Sequence, residues 1–212
     1  MSEQDANARF VREAIVEPDA IARARAHARE LGAAPISAAV GAECAVLAAT
    51  VAARSIVEIG TGAGVSGLWL LRGAPNAVLT SIDNEPEHLA AARSAFQDAR
   101  IAPTRARFIA GRASDVLPRM NEAAYDVVLV DADPENVIEY VAHGLRLVRE
   151  GGVVLVPRVL SGGRVADPVQ RDAVTTAYRS LIQETQQSPA VLAALSATGE
   201  GLLQLVSVAD RD

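Results

Sequence analysis

The pattern of hydrophobic and polar positions changes near residue 55 of the 212-residue chain. Before that point the sequence predicts helices. The segment PDAIARARAHARELG begins with Pro-Asp and ends with Gly, an asymmetry typical of a helix. Ser37 is predicted to cap the next helix, which runs to about Ala53. Residues 1–54 are therefore expected to form a helical extension.

Short β-rich runs dominate the next hundred residues. In chain order they are SIVEIG, AVLTSID, ARFIAG, YDVVLVDAD and GGVVLVP. The segments between them have the length of helices and are predicted at 65–72, 85–99, 113–120 and 134–149. Strands that alternate with helices indicate a parallel sheet covered on both faces.

The alternation breaks at the end of the chain. A helix predicted at 168–187 is followed by AVLAALSAT, a Gly-Glu-Gly turn and LLQLVSVA. Two apolar runs joined by a short glycine turn predict a hairpin, so the last strands should be antiparallel. We therefore expect an α/β fold in a single domain, 1–212, with a core at 55–212.

Composition narrows the classes of partner. The formal net charge is -6, which disfavours nucleic acid and anionic membranes as partners. The single cysteine, Cys44, lies in an alanine-rich run and is predicted to be a buried helix residue. The polar start is unlike a signal peptide, and no apolar run reaches the ~18 residues of a membrane span. These features predict a cytoplasmic protein.

The glycine turn in IVEIGTGAGVSG follows the first strand and opens a helix, which suits a nucleotide. Gly62, Gly64 and Gly67 have the spacing of a dinucleotide fingerprint, although this signal is weak by itself. The first glycine after the strand is Gly60, however, and Val65 stands where a third glycine is needed when counting begins there. A dinucleotide pyrophosphate therefore fits this turn poorly.

Three carboxylates come at strand ends that should converge on one cleft. Glu58 lies inside the first strand, where it suits a ligand with a cationic amino-acid portion, although a buried salt bridge is the alternative. Asp83 ends the second strand and can accept hydrogen bonds from ribose hydroxyls, although a helix N-cap is the alternative. Asp131 ends the fourth strand. In an open parallel sheet, ligands bind outside these strand ends.

With these motifs the sequence resembles the class I S-adenosylmethionine-dependent O-methyltransferases of the caffeoyl-CoA and catechol type. The resemblance runs from about residue 35 to the end, through VEIGTGAGVSGLWL, TSIDNEPEHLAAAR, YDVVLVDADPENVIEY, GGVVLVP, SGGRVADP and GEGLLQL. It implies a Rossmann-like, doubly wound sheet of seven strands, mostly parallel with an antiparallel C-terminal hairpin. It also implies a homodimer that uses S-adenosylmethionine to methylate a hydroxyl of a small molecule.

The resemblance also implies roles for individual residues. Asp83 would hold the ribose and Ala113 would face the adenine. The methionine end of the cofactor would be lined by Glu58, Gly60, Thr61 and Ser66. The full set implied at the cofactor is Val40, Glu58, Gly60, Thr61, Ser66, Asp83, Ala113, Asp131 and Asp133.

The sequence departs from the family where metal-dependent members bind their cation. Pro157-Arg158 replaces an Asp-Asn pair, Pro134 replaces a lysine and Ser161 replaces a tryptophan. We therefore expect no divalent metal, with Asp131 and Arg158 as the catalytic pair. Asp131 would accept the proton or orient the acceptor, and Arg158 would stabilise the oxyanion or merely neutralise Asp131. The guanidinium is expected to hold the pKa of Asp131 low.

Other functions stay open at this point. A binding protein that keeps the cofactor contacts but turns over slowly would also lack metal ligands. A nucleic-acid methyltransferase shares the fold, but the acidic charge counts against it. A nicotinamide reductase would need a glycine in place of Val65. The three histidines, His27, His88 and His143, lie in predicted helices and are expected on helix surfaces away from the cleft.

Overall fold

A computed structural model describes residues 3–208 of the chain, with side chains from residue 6 onward. The α-helices are α1 (Glu3–Ala14), α2 (Asp19–Glu30), α3 (Ala38–Thr50), α4 (Val65–Gly73), α5 (Pro86–Asp98), α6 (Ala113–Val116), α7 (Val137–Leu147) and α8 (Ala173–Gln187). The strands are β1 (Ser55–Ile59), β2 (Val78–Asp83), β3 (Ala106–Ala110), β4 (Tyr125–Val130), β5 (Val148–Pro157), β6 (Val191–Ser196) and β7 (Leu202–Ser207).

The strands form one sheet in the order β3-β2-β1-β4-β5-β7-β6. Strands β1 to β5 pair in parallel, whereas β7 pairs antiparallel with both β5 and β6. The chain moves outward from β1 to β3 and then returns to the other side of β1 with β4. The switch in strand order therefore lies between β1 and β4. The predicted doubly wound, seven-stranded α/β fold is confirmed.

Both faces of the sheet are covered. On one face, β1 residue Ile56 packs with Cys44 of α3 and Trp69 of α4. On the other face, Val57 packs with Tyr140 of α7 and Tyr178 of α8. Adjacent strand residues point to opposite faces, so this apolar strand buries both sides. Cys44 is a buried helix residue as predicted, and burial raises the pKa of its thiol.

The boundaries of two predicted helices are wrong. The last helix begins at Ala173 instead of residue 168, because the Asp172 carboxylate accepts the Thr175 backbone N–H at 3.0 Å and caps the helix there. The helix predicted at 113–120 ends at Val116 and continues as a 3₁₀ turn through Pro118, which has no N–H for an α-helical bond. Ser37 caps α3 as predicted, accepting from the Val40 N–H.

Among residues 3–208, no helix has the combination of length and apolar character that a bilayer crossing requires.

Candidate functional site

A cavity of about 520 Å³ opens at the carboxyl ends of β1, β2, β4 and β5. Its volume falls within the ~300–1,000 Å³ typical of small-molecule sites. It lies at the switch in strand order, where open α/β sheets place their ligands. The walls come from the glycine turn after β1, the loops after β2, β3 and β4, and the segment between α2 and α3.

The glycine turn brings its backbone close to the end of β4. Gly60 has φ +92°, and a Cβ there would lie 2.1 Å from the Asp131 carbonyl oxygen. No L side chain fits that contact without moving one of the two strands. Gly62 has φ +48° and nothing within 4 Å of its Cβ position. The turn therefore packs against β4 on one side and leaves open space on the cavity side.

Asp83 organises the turn after β2. Its two carboxylate oxygens accept the backbone N–H groups of Gly62 and Glu85, each at 2.9 Å. Glu85 is the N-cap residue of α5, so Asp83 holds the start of that helix as well as the glycine turn. A carboxylate offers about four lone-pair sites, so both oxygens keep capacity for ribose hydroxyls. Both roles considered from sequence are therefore compatible at this residue.

Glu58 is fully buried and its Oε1 has no hydrogen-bond partner among the described residues. Its Oε2 accepts the Ser81 hydroxyl at 2.5 Å, and Ser81 Oγ lies 2.6 Å from the Thr61 hydroxyl. Burial raises the pKa of Glu58 to about 7. A buried acceptor without a partner costs free energy, so this carboxylate favours a donor from a ligand.

Asp131 and Arg158 form a bidentate ion pair beside the glycine turn. Arg158 Nη1 lies 3.0 Å from Asp131 Oδ1, and Nη2 lies 3.2 Å from Oδ2. Nη2 also donates to the Ala34 carbonyl of the segment between α2 and α3. Arg158 has φ +64°, an uncommon value for a residue with a side chain. The guanidinium therefore links two walls of the cavity.

The predicted low pKa of Asp131 is wrong. Burial raises its pKa to about 6, and the opposing effect of Arg158 is smaller. Only 12% of the Asp131 side chain is exposed, so the carboxylate has lost most of its hydration. Asp131 is thus ionised at neutral pH and yet more basic than an ordinary aspartate.

Asp133 is held by α7 and the turn that precedes it. It accepts the Tyr140 hydroxyl at 2.9 Å and the side-chain amide of Asn136. Burial, together with this hydrogen bond to Asp133, raises the pKa of Tyr140 to about 12. Tyr140 therefore stays protonated and acts as a donor that fixes the Asp133 carboxylate.

Eight of the residues predicted from sequence line this one cavity: Gly60, Thr61, Ser66, Asp83, Ala113, Asp131, Asp133 and Arg158. Val40 and Glu58 do not line it. Val40 packs in the core, next to Gly199, so its contact with a cofactor stays a prediction. Glu58 lies behind the lining and reaches it through Ser81 and Thr61.

One histidine was misplaced from the sequence. His88 lines the cavity, with Nδ1 3.5 Å from Asp83 Oδ1, and so lies beside the cleft. The sequence interpretation also missed Ser81, Asn136 and Tyr140. Ser81 had a signal, because it is a polar residue in an apolar strand and pairs with Glu58 in the parallel register. No sequence signal marked Tyr140 as a site residue, since a tyrosine in an amphipathic helix indicates only core packing.

Among the described residues, no group of three or more His, Cys, Asp or Glu side chains is arranged to hold a metal ion.

The chain is similar to proteins of one family. The family model described as O-methyltransferase matches residues 18–207. A Mycobacterium tuberculosis protein named "Probable O-methyltransferase" is 47% identical over 193 residues, which cover 91% of this chain and 86% of the relative.

Solved structures agree with this match. A Corynebacterium glutamicum protein has a TM-score of 0.89 and 30% identity, covering 99% of both chains. The O-methyltransferase TomG of Streptomyces achromogenes, involved in tomaymycin synthesis and solved in complex with S-adenosylmethionine, has a TM-score of 0.85 and 30% identity. That alignment covers 99% of this chain and 100% of TomG. The resemblance seen in the sequence is confirmed: the chain belongs to the O-methyltransferase family.

Proposed function

We propose that this protein transfers a methyl group from S-adenosylmethionine to a hydroxyl of a small molecule, without a divalent metal. The observation that carries the proposal is the Asp131–Arg158 pair, which faces the same cavity as the glycine turn and Asp83. The same cavity therefore combines a site suited to a nucleoside-containing cofactor with a carboxylate that can accept a proton and a neighbouring guanidinium. Membership in the family supports the reaction class.

The residues present fit the cofactor. The Glu58 carboxylate lies behind the cavity lining and would act on the amino group of the methionine portion through Ser81 and Thr61, to which it is linked by hydrogen bonds. Asp83 keeps acceptor capacity for the ribose, and Ala113 at the start of α6 leaves room for the adenine. S-adenosylmethionine supplies an electrophilic methyl group carried on a sulfonium. Gly60, Thr61 and Ser66 would hold its methionine end.

The Asp131–Arg158 pair, beside which the methyl acceptor would bind, can remove a proton from the acceptor hydroxyl. Asp131, with its pKa raised to about 6, is a better proton acceptor than an ordinary aspartate and is still ionised at pH 7. Arg158 donates to that carboxylate and stands ready to stabilise the oxygen anion as the proton leaves. The cavity walls orient the acceptor hydroxyl for an in-line displacement, which contributes much of the rate.

Metal independence is supported by the residues at the two positions where the family resemblance implies metal ligands. Pro157 has no side-chain oxygen, and Arg158 brings a positive charge within 3.0 Å of Asp131. Magnesium prefers several oxygen ligands in octahedral geometry. Repulsion between two unit charges at 4 Å costs about 4 kcal/mol at an effective dielectric constant of 20, and a divalent ion roughly doubles it.

We expect that a chelator leaves turnover unchanged and that Pro157→Asp combined with Arg158→Asn creates a magnesium site where the natural chain has none. The double change adds one carboxylate and one amide oxygen beside Asp131 and removes the repelling charge. Calorimetry with magnesium measures the difference. Pro118→Asp with Arg119→Asn makes the same chemical change outside the cavity and should bind no ion. Faster turnover of the natural protein with magnesium would contradict this reading.

Asp83→Ala should weaken binding of S-adenosylhomocysteine by about 1–3 kcal/mol, the cost of losing a charged hydrogen-bond partner. The change also releases the Gly62 and Glu85 N–H groups, which loosens the turn. Calorimetry gives the affinity, and Asp98→Ala at the exposed end of α5 is the control. Unchanged affinity in Asp83→Ala, or binding of NAD by the natural protein, would count against the cofactor assignment.

We also propose that residues 1–212 act as one cytoplasmic domain that assembles into a homodimer, with neither nucleic acid nor membrane as partner. The N-terminal part of the chain exposes apolar side chains: Phe10 of α1, Val16 between α1 and α2, and Val46 of α3 are 72%, 83% and 64% exposed. A second copy would cover them. Light scattering should give twice the chain mass of 22.1 kDa. Val16→Asp should weaken the dimer, and Val169→Asp, at an 80% exposed position in the segment before α8, should not. A monomeric natural protein would refute the dimer.

A further inference from the structure

One wall of the cavity comes from outside the sheet. Ala33, Ala34 and Pro35, between α2 and α3, line it together with Ala28 of α2. Ala28 is fully buried and packs in a small cluster with Ala63 of the glycine turn. This segment, residues 33–35, is named the N-terminal wall below. The N-terminal wall therefore forms a side of the cavity next to the glycine turn.

Arg25 fixes one end of this wall. Its Nε and Nη2 donate to the two carboxylate oxygens of Glu17 at 2.8 and 2.7 Å. Its Nη1 donates to the Ile36 carbonyl at 2.5 Å, one residue beyond the wall. The Arg25 and Glu17 side chains are only 12% and 14% exposed. A planar guanidinium held on two sides can fix a third partner, which a lysine ammonium does less well.

The same contacts reach the helix that follows the glycine turn. Trp69 of α4 donates its indole N–H to Glu17 Oε1 at 3.3 Å and is almost fully buried. The first turn of α4 contributes Val65 and Ser66 to the cavity lining. Glu17, Arg25 and Trp69 thus connect the end of the N-terminal wall to α4, whose first turn lines the same cavity.

We propose that Arg25 is a positioning residue that sets how long the cofactor stays bound. Held in place by Glu17, it keeps the N-terminal wall closed over the glycine turn at Ile36, while Arg158 holds the wall at Ala34 from inside the cavity. Arg25 itself does not line the cavity and acts through the wall. The inference rests on the proposed function, because S-adenosylmethionine or its product is the ligand enclosed.

A purely structural ion pair makes a different prediction. Replacing an ion pair of this kind changes global stability and leaves ligand dissociation alone. A positioning role instead raises the rate at which ligand escapes, and loosens the wall before the rest of the fold. The readouts are therefore a dissociation rate and local hydrogen exchange, both compared with the unfolding midpoint.

Stopped-flow fluorescence of Trp69, the single tryptophan of the chain, can follow release of S-adenosylhomocysteine. In Arg25→Gln the dissociation rate should rise about tenfold, the factor expected for one charge-assisted hydrogen bond. Arg25→Lys keeps the charge opposite Glu17 but cannot reproduce the three-way geometry, so release should also accelerate while the unfolding midpoint changes little. Arg23→Gln, exposed on the same helix, is the matched control and should release ligand at the natural rate.

Hydrogen exchange of the ligand-free proteins completes the test. Arg25→Gln should exchange faster at residues 31–37 while β1 and β4 keep their protection. Natural dissociation rates in both Arg25 variants, or equal acceleration across the whole chain, would overturn the inference. Failure of the natural protein to bind S-adenosylhomocysteine would instead overturn the proposed function, and the exchange comparison would still decide whether Arg25 holds the wall.

Discussion

Asp131→Asn should lower kcat by about 10²–10⁴-fold, the usual contribution of a general base. The amide keeps the shape of the side chain and can still accept from Arg158, but it cannot take the acceptor's proton. Affinity for S-adenosylhomocysteine should fall much less, because the cofactor end depends on Asp83 and the glycine turn. Initial rates at saturating cofactor, with binding measured separately, distinguish the two effects.

The natural enzyme should also lose activity as the pH falls through about 6. Burial raises the pKa of Asp131 to about 6, so below that pH the carboxyl is protonated and unable to accept a proton. The acid limb of the rate profile should therefore disappear in Asp131→Asn. Asp126→Asn is the control at the other end of the same strand, where the carboxylate accepts the Arg54 and Ser55 N–H groups. It should lower stability and leave kcat unchanged; equal loss of activity in both variants would remove Asp131 from the mechanism.

Gly60→Ala is expected to cost about 2–5 kcal/mol of stability and to abolish cofactor binding. The new Cβ would lie 2.1 Å from the Asp131 carbonyl oxygen, which belongs to the backbone and cannot rotate away. Overpacking of this kind costs about 1–3 kcal/mol, and a positive φ adds roughly 1–2 kcal/mol for a residue with a side chain. Relief requires β1 and β4 to separate, which would open the site. Chemical denaturation and calorimetry measure the two effects.

Gly163→Ala separates the clash from the backbone conformation. Gly163 has φ +90°, nearly the +92° of Gly60, but nothing lies within 4 Å of its Cβ position. Gly163→Ala should lower the free energy of unfolding by only about 1–2 kcal/mol, the effect of the positive φ alone, and should leave cofactor binding intact. If the two alanine variants were equally stable, the close approach of the glycine turn to β4 would not be a constraint.

The sequence predicted the fold and one side of the site well because both depend on local patterns. Alternating strands and helices determine a parallel sheet, and a parallel sheet brings the ends of its strands together. Asp83 and Asp131 therefore meet at one cavity as predicted, whereas Glu58 is fully buried behind the cavity lining. The replacement at Pro157-Arg158 also predicted the ion pair with Asp131.

What the sequence could not give depends on distances between distant segments. The pKa of Asp131 is set by how deeply the folded chain buries it, and charge pairing alone predicted the opposite direction. His88 lies beside the cleft because the turn held by Asp83 fixes the direction of α5. Arg25 meets Ile36 only through the packing of α2, and no motif marks that contact.

We propose that this cavity supports metal-free methyl transfer to a hydroxyl of a small molecule. The most direct measurement is the release of S-adenosylhomocysteine from S-adenosylmethionine across a panel of hydroxylated small molecules, each assayed with a chelator and with magnesium. We expect release that requires an acceptor, proceeds at the same rate with chelator and with magnesium, and is lost in Asp131→Asn. Release that occurs only with magnesium, or tight cofactor binding with no release for any acceptor, would contradict it, the latter in favour of a binding protein.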